Sequence, residues 1–144
     1  MNRSNDPSGL LLRVRALDAW YGDFQALYGV DFDLREGETV AIIGANGAGK
    51  TTFLRSLCGV LTAPAQAIRY AGQDIGGLAP HHIVSLGVAM VPEGRKLFPS
   101  LTVEENLLVG AHARRPGPWN LAEVYALFPI LSDKRAQPGT QLSG

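Results

Sequence analysis

Neither sign of charge dominates this chain. Thirteen basic and thirteen acidic side chains balance to zero, and charged residues make up only 18% of its 144. Holding nucleic acid by phosphate neutralisation takes a basic excess, so the balance argues against a nucleic-acid partner and towards a small molecule or a protein. Cysteine is nearly absent. The single Cys58 can close no internal disulfide and supply no metal cluster, the usage of a reducing cytosolic setting; on the apolar side of a helix it is expected in the core. No apolar run approaches the ~18 to 20 residues that cross a bilayer. The start, Met1 to Gly9, is polar, and Arg13 cuts short the run Leu10-Leu11-Leu12, so no secretory signal is visible. Work at a membrane would be that of a peripheral subunit.

What is present is concentrated in one stretch. Gly44 to Thr51 match G-x-x-x-x-G-K-[ST], between the short apolar, β-prone run Thr39–Ile43 and a helix-forming run, Thr52 to Cys58. Gly44, Gly47 and Gly49 lack a Cβ, so the backbone from Gly44 through Asn46, Gly47, Ala48 and Gly49 can turn its N–H groups inward around an oxyanion. The loop then feeds the start of a helix, at Thr51 and Thr52, where unpaired N–H groups and the helix dipole favour negative charge. Lys50 is placed to reach the β- and γ-phosphates of a nucleotide. The hydroxyl of Thr51 is placed to complete a Mg²⁺ shell.

Around this loop the chain divides into a tail at 1–9, a region 10–92 and a region 93–144. Leu10, Leu12, Val14 and Ala16 alternate with Arg13 and Arg15, interrupted at Leu11, and predict a half-buried strand. Val30 to Leu34 predicts a second, with a turn at Glu36-Gly37-Glu38 before the loop strand. Two such strands ahead of a buried one imply an antiparallel layer on a parallel α/β core. Between them lies Trp20-Tyr21-Gly22. An aromatic there can present its ring face to adenine, and Tyr21, beside a permissive glycine, is the better candidate; Trp20 is expected to pack.

Further on, Gly59 is a helix stop, a strand is expected near Ile68-Arg69-Tyr70, and Pro80 suits the first turn of a helix to Leu86. His81 and His82 point about a hundred degrees apart on that helix with no third ligand nearby, so they are read as a solvated face. Gly87 to Pro92 has the pattern of a strand buried on both faces, whose carboxyl end would bring Glu93-Gly94-Arg95 beside the nucleotide. Thr102 and Glu105 form a capping box for a helix to about Ala113. Asn120 with Glu123 caps another through Phe128.

With these motifs placed, the chain resembles the ATP-binding subunits of ABC transporters, nearly end to end. The resemblance implies an incomplete ABC ATPase domain of α/β class: a P-loop NTPase core with an N-terminal antiparallel β layer and the start of an α-helical subdomain. Tyr21 matches the family's adenine-stacking aromatic, and the segment at Glu93 matches the loop that links nucleotide to the transmembrane subunits. Leu142-Ser143-Gly144 looks like the opening of the signature sequence, through which Ser143 and Gly144 would meet the γ-phosphate held by a second subunit. ATP and Mg²⁺, a second ATPase subunit, transmembrane permease subunits and a peripheral place on the cytoplasmic face of the membrane follow from the same resemblance.

The wording of Gly44–Thr52, Val91–Arg95 and Leu101–Leu107 is similar to the branched-chain amino acid importers. Most of the family has glutamine at position 93, an amide able to coordinate Mg²⁺ and the attacking water; Glu93 brings a carboxylate instead, as the branched-chain group does. A urea or short-amide importer ATPase is the nearest alternative. A non-catalytic nucleotide-binding fragment and a GTPase or small-molecule kinase are the others. The rest of the signature, the Mg²⁺-holding aspartate, the catalytic glutamate and the switch histidine are expected beyond Gly144. No residue here is therefore nominated as general base, and residues 1–144 alone are expected to be poorly stable and not to hydrolyse ATP.

Overall fold

The structure is a computed structural model that describes residues 9–94, 96–112 and 116–142. The expected tail thus lies outside the described residues, Gly9 apart. So do Arg95, Ser143 and Gly144. The chain forms two compact units, the first reaching to Met90 and the second starting at Val91.

The first unit is built on a four-stranded antiparallel sheet in the order β2-β1-β3-β4, with β1 at Leu10–Tyr21, β2 at Phe24–Arg35, β3 at Ile68–Tyr70 and β4 at Gln73–Asp74. Both hairpins are closed by the residues that allow it. Tyr21 pairs Phe24 across a two-residue turn in which Gly22 has φ 58°. Ala71 and Gly72 between β3 and β4 both have positive φ, 47° and 81°, as a type I′ turn requires. The broken alternation at Leu11 is a bulge, because Leu10 pairs Arg35 while Leu12 already pairs Leu34.

Alternation then sorts the two faces of the sheet. Leu12, Val14, Leu17 and Ile68 are buried together with Phe53 and Leu57 of helix α1 (Lys50–Leu57) and Ile83 of α2 (Pro80–Leu86). Arg13, Asp33 and Arg69 face the other way, where Arg15 forks onto Asp33 with contacts of 2.7 and 2.8 Å. That guanidinium holds the Asp33 carboxyl below the usual carboxylate range. Phe32 meets Phe53 edge to face, centroids 5.4 Å apart, and locks α1 onto β2. Cys58 is buried, as expected, and burial raises its thiol pKa.

Two expectations are not met. Among the described residues, neither Thr39–Ile43 nor Gly87–Pro92 forms a strand, and no parallel pairing is present. Ile43 is 92% exposed and Val91 96% exposed. A strand is a property of a pair, and an apolar run without a neighbour to accept its N–H and C=O groups stays irregular.

The second unit contains α3 (Val103–Gly110), α4 (Leu121–Leu127), α5 (Pro129–Asp133) and a 3₁₀ turn at Gly139–Gln141. The capping box at α3 is complete: Thr102 Oγ1 accepts from Glu105 N, and Glu105 Oε2 accepts from Thr102 N at 2.8 Å. Asn120 Oδ1 caps α4 by accepting from Glu123 N. The Tyr125 hydroxyl donates to Glu104 Oε2 at 2.8 Å and ties α4 to α3; desolvation and that carboxylate raise its pKa.

Candidate phosphate-binding site

The loop follows the irregular segment Thr39–Ile43 and ends in α1, which places it at the helix N-terminus. Gly47 and Gly49 have φ 82° and 88°, the left-handed region that a side chain resists. Gly49 is the N-cap, with no side-chain hydrogen bond to the helix start and no acid in the first turn. The N–H groups of that first turn lie before any i−4 carbonyl, and no acidic side chain of the turn competes for them. Gly49 is also pressed from behind. A Cβ there would lie 2.7 Å from Leu27 Cδ2 and 3.2 Å from the Ala26 carbonyl, so β2 braces the loop.

Lys50 closes the ring. Its Nζ donates to the carbonyls of Gly44 and Ala45, both at 2.7 Å, while Ala48 N–H donates to Ala45 O. The ammonium is thus held over the loop by backbone acceptors, which a phosphate can replace with charge-assisted bonds. Thr51 is exposed at the helix start. Thr52 is buried, and its carbonyl accepts from Ser56 Oγ at 3.0 Å.

Tyr21 ends β1 and is 44% exposed. The side chains of Thr52 and Arg55 engage its phenol by hydrogen bonding and lower its pKa from the usual tyrosine value. The aromatic candidate and the loop helix are thereby brought together within one unit. Trp20, expected to pack, is 49% exposed instead: it lies one residue before Tyr21 at the turn end of the β1–β2 hairpin, and the two rings project to opposite faces. Glu93 is exposed in a bend with Gly94 at φ 79°, in the second unit. Ser143 and Gly144 lie outside the described residues. His81 and His82 are both exposed, with ring centroids 4.1 Å apart.

Sequence reasoning overlooked Leu27 and Arg55. Leu27 carries only an apolar signal, and Arg55 reads as an ordinary helix-surface cation, so their proximity to Gly49 and Tyr21 is visible only in three dimensions. A cleft of about 180 Å³ flanks the loop, with Leu27, Val30, Phe32, Ile42, Ile43 and Phe53 among its walls. Ala48, Gly49 and Lys50 of the loop, with Asp31, complete its lining.

A glycine loop feeding an uncapped helix beside a lysine defines the phosphate-binding class of α/β domains. A profile of ABC transporters matches residues 27–144, and the chain belongs to that family. It is 40% identical over 93% of its length to the high-affinity branched-chain amino acid transport ATP-binding protein BraG of Pseudomonas aeruginosa, of which it covers 58%. A ribose import ATP-binding protein of Rubrobacter xylanophilus is 36% identical over 81% of this chain, which covers 22% of that protein. Among solved structures, an ATP-binding cassette of an ABC transporter has a TM-score of 0.71 at 26% identity, with 94% of this chain and 60% of that one covered. The ADP conformation of a cassette has a TM-score of 0.68 at 28% identity, with 94% and 59% covered. No helix among the described residues is long and apolar enough to cross a membrane.

Proposed function

We propose that this chain is the nucleotide-binding part of the energy-coupling ATPase subunit of an ABC importer, and that branched-chain amino acids are the solute class. One observation carries the nucleotide reading: the start of α1 is uncapped and free of acids, behind left-handed Gly47 and Gly49 and under the Lys50 ammonium. In this reading the backbone from Gly44 through Asn46, Gly47, Ala48 and Gly49 to Thr52 holds the ATP phosphates. Lys50 balances their charge, Tyr21 stacks on adenine, and Thr51 with Glu93 serves Mg²⁺. Ser143 and Gly144 meet the nucleotide of a second ATPase subunit, and permease subunits anchor the pair at the cytoplasmic face of the membrane. None of the carboxylates in 1–144 is assigned as general base.

The branched-chain reading is favoured over sugar import by the higher identity over the longer span, 40% over 93% against 36% over 81% of the chain. The solute itself would be selected by the other subunits. In the assembled transporter, ATP hydrolysis stimulated by a leucine-loaded receptor supports the first solute class, and stimulation by a ribose-loaded receptor alone overturns it.

The nucleotide reading is tested with residues 1–144 themselves, by titrating a fluorescent ATP analogue in Mg²⁺ and competing with ATP and GTP. ATP is expected to compete. Lys50→Ala is expected to weaken binding about 10- to 100-fold, since hydrogen bonds to charged groups contribute roughly 1.5–3 kcal/mol. Equal affinity in parent and variant overturns the phosphate assignment, and preference for GTP overturns the adenine role of Tyr21.

A further inference from the structure

The side chain of Asn106 in α3 is bonded at every polar position, to the segment Phe98–Thr102 that precedes and starts the helix. Its Oδ1 accepts from Phe98 N at 2.9 Å. Its Nδ2 donates to the carbonyls of Phe98 and Leu101, each at 3.2 Å, and of Thr102 at 2.9 Å. One N–H donor on one side and three carbonyls on the other fix which end is oxygen and which is nitrogen. Phe98 to Thr102 is therefore wrapped around this carboxamide, and the turn is closed by Leu101 N–H to Phe98 O.

A second segment leans on the same group. Gly139 is buried, and a Cβ there would lie 3.1 Å from Asn106 Nδ2 and 3.5 Å from Leu97 Cδ1. Gly139 N–H donates to the Leu101 carbonyl at 3.1 Å, which also accepts from Asn106, and Thr102 forms a bridge with Pro138. From Gly139 the 3₁₀ turn continues directly to Leu142, whose N–H donates to the Gly139 carbonyl at 3.3 Å. The capping of α3 requires none of this, because Thr102 and Glu105 already satisfy its start.

We infer that Asn106 is a positioning residue that joins the segment following Glu93, from Leu97 to Thr102, to the turn Gly139–Leu142, so that a displacement of either is transmitted to the other. The linkage stands on the contacts alone. Its meaning for nucleotide use, that the Glu93 loop is heard at the run entering Ser143-Gly144, rests on the function proposed above.

Residue-resolved amide hydrogen exchange on residues 1–144 tests it. Asn106→Asp keeps the shape but replaces the Nδ2 donor with an acceptor oxygen set against three carbonyls. Exchange at Phe98 and at Gly139 is expected to rise together, about 10-fold or more, while Val124 and Phe128 in α4 hold their rates. A rise at Phe98 alone would reduce Asn106 to a local clasp and overturn the inference. Gly139→Ala is the milder variant, and its φ is ordinary, so only the contact with Asn106 and Leu97 is disturbed. It is expected to speed exchange at Phe98, and to have no further effect there once Asn106 is alanine, the non-additivity of a shared contact. Unchanged exchange at Phe98, or additive effects, overturns the linkage. Saturating Mg-ATP is expected to alter Gly139 exchange in the parent and not in Asn106→Asp; an equal response in both overturns the linkage. If Mg-ATP alters neither while the reciprocal effects of the two substitutions persist, the linkage stands and the nucleotide reading of Glu93 fails.

Discussion

Ile68 and Ile43 stand in similar short, β-prone runs and meet opposite fates. Ile68 is 1% exposed in a strand paired on one side with β1 and on the other with β4, whereas Ile43 is 92% exposed in a segment without strand structure. The more apolar of the two runs is the one that stays irregular. Val40-Ala41-Ile42-Ile43 outscores Ile68-Arg69-Tyr70 on any hydrophobic scale, yet β3 needs only two neighbours to form, and both lie in the antiparallel layer. Apolar content states what a segment could bury, and pairing decides whether it does.

This contrast can be broken by substitution. Ile68→Ala should destabilise the chain by about 2–5 kcal/mol, the range for a large side chain removed from a packed core, and Ile43→Ala should stay within about 0.5 kcal/mol. Urea unfolding of both variants checks this; comparable losses would mean that Ile43 is packed in solution. Gly49→Ala comes next. Its left-handed backbone alone costs roughly 1–3 kcal/mol, and the new methyl also meets Leu27. Adding Leu27→Ala should recover the steric part only, which a double-mutant cycle in thermal unfolding would resolve.

A smaller effect separates the two helix starts of the second unit. Thr102→Ala should cost about 0.5–2 kcal/mol, and Asn120→Ala less, because only Thr102 is answered by a reciprocal bond from its box. The box also carries a pH signature. The Thr102 backbone N–H, and then its hydroxyl, hold the Glu105 carboxyl below its usual pKa. This contribution is present above the unfolded value of about 4.3 and is lost as pH falls through the lower folded value. The stability gap between parent and Thr102→Ala should therefore narrow, without closing, as pH falls through the lowered Glu105 value, since the bond from Glu105 N–H to Thr102 Oγ1 does not titrate; a gap unchanged by acidification would assign the cap to the threonine hydroxyl alone.

The phosphate loop and the antiparallel layer were readable because their signals are local. Gly47, Gly49 and Lys50 stand at fixed spacing, and the bulge in β1 appears in the sequence as the break at Leu11. The capping box was readable for the same reason, since both partners lie three residues apart. Trp20 was misjudged because it stands beside the turn of the β1–β2 hairpin, where its face of the sheet leaves it half exposed. Leu27 behind Gly49, Arg55 beside Tyr21 and Asn106 beneath Gly139 were invisible, each being an ordinary residue given its role by a distant neighbour.

The sequence by itself determined the loop on which phosphate binding is proposed, because backbone freedom at Gly47 and Gly49 and the charge of Lys50 belong to one short run of residues. It also determined membership of the ABC transporter family. Only the tertiary structure decided that Lys50 rests on the Gly44 and Ala45 carbonyls, that β2 braces the loop, and that Thr39–Ile43 forms no strand. Those outcomes depend on which groups lie opposite one another after folding, and local spacing does not encode that.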